Sequence, residues 1–246
     1  MNLLSAVNGY YYGGRYGYGW GIDPTYLLAL IGLLLTMLAS AHVRSTFNRY
    51  AKVHSMTGLT GAMAAERVLH SCGIYNVAIE RISGSLTDHY DPRSKTLRLS
   101  DSTYGSASVA AICVAAHECG HAVQDQERYA PLVLRSTLVP VANFGAQLSW
   151  PIFLAGLIFS MRPLLLAGII LFSLAVLFQL ITLPVEFNAS ARALRILREN
   201  RIVPEEELTG GRKVLTAAAL TYVAALASSL LQLLRLIVIA RGRDRD

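Results

Sequence analysis

Apolar positions in this chain gather into long runs separated by shorter segments of mixed polarity. The first run, PTYLLALIGLLLTMLASA (Pro24 to Ala41), carries no charge over about the 20 residues that a bilayer-spanning helix needs. It starts too far into the chain, and is too long, for a cleaved signal peptide, and only Arg15 precedes it, so it reads as a retained anchor. Polarity then becomes mixed. LTGAMAAERVLHSCG predicts an amphipathic helix capped by Thr60 and ended at Gly73. VAIERISGSLTDHYDPRSKTLRLS alternates around Val77 to Ile82 and Thr96 to Leu99, with Asp91-Pro92 between them, which predicts a small β-hairpin or sheet. SASVAAICVAAHECGHAVQDQ is Ala-rich and free of Gly and Pro before Gly120, the pattern of a buried helix.

From Leu132 the chain is apolar again. Two runs separated only by Arg162-Pro163 predict a transmembrane hairpin whose helices Pro140, Pro151 and Pro184 kink or end. The polar VEFNASARALRILREN then returns to the side of the earlier basic residues. In the last run the Ala-rich start suits packing inside the protein, whereas Leu230 to Ala240 suits a bilayer despite Arg235. The expected fold is a mainly α integral membrane protein with a small β-hairpin or sheet and three to four transmembrane helices. Its parts are a Tyr/Gly-rich segment over 1–23, a first span over 24–41, a mixed part with the histidine helix over 42–131, and a transmembrane hairpin over 132–184. A polar helix over 185–203 and a long, partly embedded C-terminal helix with a charged tail over 204–246 complete it.

Composition agrees with this class. With 53% hydrophobic and 15% charged residues, the chain is too apolar for an ordinary soluble domain, in which about a quarter of residues are charged. The net charge of +6 lies largely beside the apolar runs, at Arg44, Arg49 and Lys52 and at Arg192, Arg195, Arg198 and Arg201. Charge so placed marks cytoplasmic loops and needs no nucleic acid to explain it. Three cysteines, Cys72, Cys113 and Cys119, show no paired spacing, which suits a reducing compartment better than a disulfide framework.

Candidate chemistry centres on HECGH. Residues four apart on a helix differ by about 40° in direction, so His117 and His121 project from one face, one turn apart, and can grip one ion. Zinc takes such nitrogen ligands, and a catalytic zinc keeps one of four positions for water. Glu118 can then serve as general base toward that water, while the metal acidifies it and polarises the scissile carbonyl. An acid and two histidines in an Ala- and Val-rich helix are costly to bury without a partner, and a metal is the simplest one. Among downstream acids, Glu186 stands where a span emerges from the membrane, which suits a third ligand; a carboxylate at a helix start is the other reading. Asp125, Glu127 and the Glu205 to Glu207 cluster suit solvated or capping charges. Cys119 points away from the histidines and reads as a packing residue.

LTDHYDPRSKTLRLSD, VAAHECGHAVQ, LPVEFNASARAL and AAALTYVAAL, in this order, resemble the putative neutral zinc metallopeptidases of the YugP type, membrane proteins of the zincin superfamily. The resemblance runs from about Leu27 to Ala240. It implies zincin-like catalytic helices and a Zn2+-dependent endopeptidase of the bacterial cytoplasmic membrane, with His117 and His121 as ligands, Glu118 as base and Glu186 as the gluzincin-type third ligand. Gluzincins often carry E-x-x-x-D, whose Asp orients a ligand histidine; Ser190 stands there in this chain, with Ser190 or Asn188 as substitutes.

Two further residues are candidates. Tyr222, a polar tip on an Ala-rich helix, can donate to a developing oxyanion, and a buried or interfacial tyrosine is the equal alternative. His89 can do the same or bind substrate, although its place between Asp88 and Asp91 favours a structural role. The hairpin offers an edge strand to an extended peptide. Expected partners are a peptide or protein substrate near the membrane and the lipid bilayer, with no nucleic acid, and the active site on the cytoplasmic side. A zinc-holding scaffold without catalysis is the alternative; retention of Glu118 argues against it. A transporter fits less well, since the spans are nearly uncharged and show no repeat.

Overall fold

The computed structural model describes residues 25–243, so the Tyr/Gly-rich segment and the end of the charged tail lie outside the described residues. Helix α1 (Tyr26–Tyr50) is the first apolar run, extended beyond it by its basic end. A loop leads to α2 (Gly61–Ser71), where the Thr60 hydroxyl accepts from Met63 N and Gly73, at φ +70°, turns the chain out of the helix. Three short strands follow, β1 (Ala78–Ile82), β2 (His89–Asp91) and β3 (Thr96–Ser100), then the one-turn α3 (Asp101–Tyr104) and the histidine helix α4 (Val109–Gln126). Three long helices complete the chain: α5 (Ala130–Ile158), α6 (Arg162–Glu199) and α7 (Glu205–Arg243).

The sheet is mixed. β3 lies in the centre, antiparallel to β2 across the Asp91-Pro92 turn and parallel to β1. Alternation in β1 and β3 therefore does report strands, but the hairpin pairs β3 with the shorter β2. Leu97 and Leu99 of β3 are wholly buried and join a core with Ala65 and Val68 of α2, Ile112, Ala115 and Cys119 of α4, and Ala193 and Leu197 of α6. Helix α4 is enclosed along most of its length, which accounts for the small apolar residues of its first half, Val109 to Ala116.

Four helices, α1, α5, α6 and α7, are long and apolar enough to cross a membrane, and the protein is a mainly α membrane protein. Helix α7 packs along α1 and α6, and α5 along α6. Arg235, the charge that made the last run ambiguous, lies over the Tyr26 ring at 4.4 Å and donates to Thr25 Oγ1. It is therefore level with the start of α1, and α7 accompanies α1 over its whole apolar length. The prolines end nothing: Pro140, Pro151 and Pro184 all lie inside their helices. The polar segment with Glu186 is thus a direct continuation of the α6 span.

Candidate metal centre

Two glycines bring the helices of the site together. A Cβ on Gly120 of α4 would stand 2.5 Å from the Ala189 carbonyl oxygen, so the backbones of α4 and α6 meet there. Glu186 lies one turn before that contact and His121 one residue after Gly120. Two turns earlier on α4, a Cβ on Gly211 of α7 would run into Cys113 Sγ; this contact sets α7 against α4 and carries Tyr222 to the cleft.

His117, His121 and Glu186 offer ligand atoms that all lie within 4.8 Å of one another. Glu186 Oε2 is 3.3 Å from His117 Nε2 and 3.6 Å from His121 Nε2, and the imidazoles stand edge to face. Their opposite nitrogens are held. His117 Nδ1 pairs with Ser190 Oγ at 3.0 Å, and His121 Nδ1 with Gln124 Oε1 at 3.0 Å. The Gln124 amide is oriented by its own donor, which gives to the Val185 carbonyl and to Asn188 Oδ1, each at 2.9 Å. An amide oxygen facing His121 Nδ1 requires a proton on that nitrogen and leaves the Nε2 lone pair facing Glu186, the tautomer a metal ligand needs.

Ser190 and Asn188, read as substitutes for an orienting aspartate, thus act on different histidines, Ser190 directly and Asn188 through Gln124. Burial works against a charge on His121, but the Glu186 and Glu118 carboxylates outweigh it and hold the imidazole above its ordinary pKa.

Glu186 Oε1 accepts from Arg135 Nη1 of α5 at 3.0 Å, while Oε2 is buried with no hydrogen-bond partner. An orphaned carboxylate oxygen beside two imidazole Nε2 atoms is costly unless a cation sits among them, so the donor set fits a divalent metal of the zinc type. Arg135 and Gln124 escaped the reading from sequence. A charge set inside an apolar run, and an amide three residues after a candidate ligand on the same helix face, were the available signals.

The family described as "Putative neutral zinc metallopeptidase" matches residues 25–241. The chain belongs to this family. It is also 48% identical over 220 residues to the "Putative membrane protease YugP" of Bacillus subtilis (strain 168), a match that covers 89% of this chain and 98% of that protein. No solved structure matches the chain.

Around the metallopeptidase cluster two cavities meet. One, of about 380 Å³, is lined by β2 residues including His89, by His117, Glu118 and His121, by Arg135 and Val139 of α5, and by Tyr222. The other, of about 200 Å³, is more apolar and runs between Val43 of α1, Leu86, and Leu215 and Ala218 of α7. Asp88, His117, Glu118, Glu186 and Tyr222 border both.

Glu118 is buried beside the ligand group without belonging to it. His89 is on edge strand β2, with Nδ1 against the Thr87 carbonyl. Asp125, expected as a solvated or capping charge, instead receives Tyr90 Oη and pairs with Lys95, which fastens the hairpin to α4. Cys119 packs away from the cluster, with Sγ near the Ala65 carbonyl.

Proposed function

We propose that the chain is a membrane-anchored zinc endopeptidase, with His117, His121 and Glu186 as metal ligands and Glu118 as general base. The observation that carries this reading is the convergence of two histidines, each held at Nδ1, on an orphaned carboxylate oxygen, with a second acid, Glu118, beside them where two cavities meet. When bound, zinc supplies Lewis acidity, polarising the scissile carbonyl and acidifying a water. Glu118 takes that water's proton and returns it to the leaving amine. Tyr222, on the cleft wall, donates to the oxygen that gains negative charge. Edge strand β2 pairs with the main chain of an extended substrate, and two meeting cavities let the peptide leave on both sides of the cut, as an endopeptidase requires.

Location supports a membrane-proximal substrate. Glu186 lies 24 residues into α6, roughly 36 Å from its start at the helical rise, against a hydrocarbon core of about 30 Å. The site therefore sits at the bilayer surface. Basic residues crowd that side, at Arg44, Arg49, Lys52, Arg192, Arg195 and Arg198, which favours the cytoplasmic face of a bacterial inner membrane.

Detergent-purified protein should cleave members of a broad peptide library, and Glu118→Gln should abolish cleavage while zinc stays near one per chain. Zinc without cleavage in the wild type would favour a scaffold instead, and no zinc in either protein would sink the metal reading.

A further inference from the structure

The geometry points to Arg135 as a positioning residue that makes Glu186 a one-oxygen ligand and so keeps a coordination position open for chemistry. This inference rests on the metal centre proposed above. It begins from a difficulty. A guanidinium set next to a site for a dication opposes binding by Coulomb repulsion, and on α5, a helix long and apolar enough to span the bilayer, a charge is costly in itself. Such a residue has to return something specific.

The two oxygens of Glu186 are treated differently. Oε1 receives Arg135 Nη1 at 3.0 Å, and Oε2, without a hydrogen-bond partner, is the oxygen that faces both Nε2 atoms. A carboxylate unrestrained on both sides can rotate and give two oxygens to one ion. Zinc with two imidazoles and both oxygens would have its four usual positions filled by protein, so that water could join only as a fifth ligand. An N–H donated to Oε1 draws its lone pair away from the ion and fixes the carboxylate plane, so that only Oε2 is presented.

Position in the chain makes this possible. The tight connection from α4 to α5, with Tyr129 N donating to the Gln124 carbonyl, brings the second turn of α5 against the cleft. Arg135 lines the cavity with 30% of its side chain exposed, enough to reach the site and too little to be an ordinary surface charge.

The test reads the metal rather than the reaction. Cobalt(II) is loaded into wild-type protein, Arg135→Met, and Thr137→Ala, a control two residues away on an exposed position. Four-coordinate cobalt absorbs visible light much more strongly than five- or six-coordinate cobalt. Arg135→Met should lose more than half of the wild-type band intensity, and Thr137→Ala should keep it. Equal loss in both variants, or none in Arg135→Met, overturns the assignment while leaving the metal centre in place. If Arg135→Met does not fold, zinc X-ray absorption of the wild type decides alone: one carboxylate oxygen at about 2.0–2.2 Å supports the role, and two overturn it. A wild-type protein that takes up neither metal removes the centre itself, and this inference with it.

Discussion

Gln124 decides which nitrogen of His121 is free, and Ser190 holds the matching atom of His117. Neither would touch the ion, yet loss of such a partner usually weakens metal binding by about 10–100-fold. Gln124→Ala and Ser190→Ala should each show that loss in competition with a zinc chelator, with Gln124→Ala the larger, because it also frees Asn188 and the Val185 carbonyl. The thiols give a second expectation. Burial pushes Cys113 up to about 12 and raises Cys119 well above the ordinary thiol range, whereas Cys72 is only half-buried. Alkylation of the folded protein near pH 8 should therefore modify Cys72 alone, as peptide mass mapping would report.

At this scale the sequence was informative where chemistry is carried by residue type. Two histidines and a glutamate at helical spacing announce themselves, and Ser190 came into view only through the resemblance to gluzincins, beside Asn188, as a substitute for an orienting aspartate. Arg135 did not, because it was read as part of an apolar run, and the use of a charge there depends on which helix lies opposite.

Between elements, the decisive contact is backbone against backbone at Gly120. Gly120→Ala places a methyl group against a carbonyl that cannot move without shifting α6. The expected cost is about 1–3 kcal/mol of stability, together with a loss of metal affinity larger than that of Gln124→Ala, measured by thermal unfolding and chelator competition. The sheet reaches the site by another attachment, from Tyr90 and Lys95 to Asp125. Tyr90→Phe should loosen β2 beside the cleft, raising KM severalfold while zinc content stays unchanged; a fall in zinc instead would mean that the strand supports the metal rather than the substrate. Strand existence was legible from alternation, but the parallel pairing of β1 with β3 was not, since it depends on contacts between residues 18 positions apart. Pro184 misled for a different reason. In a soluble protein it would end a helix, whereas in a membrane bundle neighbouring elements tolerate it.

Across the whole molecule, the four long apolar helices run antiparallel to one another along the chain and put the start of α1, the α5–α6 turn and the end of α7 at one end, and the His117, His121 and Glu186 cluster towards the other. A membrane-impermeant maleimide applied to intact cells should react with Met161→Cys in the α5–α6 turn, and with Asn200→Cys only after permeabilisation. The reverse pattern would place the cleft outside and overturn the assignment drawn from basic residues. That α7 is one continuous helix long and apolar enough to cross a membrane was hidden by Arg235, whose stacking on Tyr26 depends on how α7 lies against α1.

Because α6 passes through Pro184 without a break, one rigid rod carries both the bilayer crossing and Glu186. A cut that removes the apolar half of α6 leaves Glu186 on a helix stub, and a cut in α5 strands Arg135 in the same way. The same rod transmits force. Where a thicker or thinner bilayer is met by a change in the tilt of α6, Glu186 moves with it against the histidines on α4, so that the spacing of the cluster depends on lipid thickness.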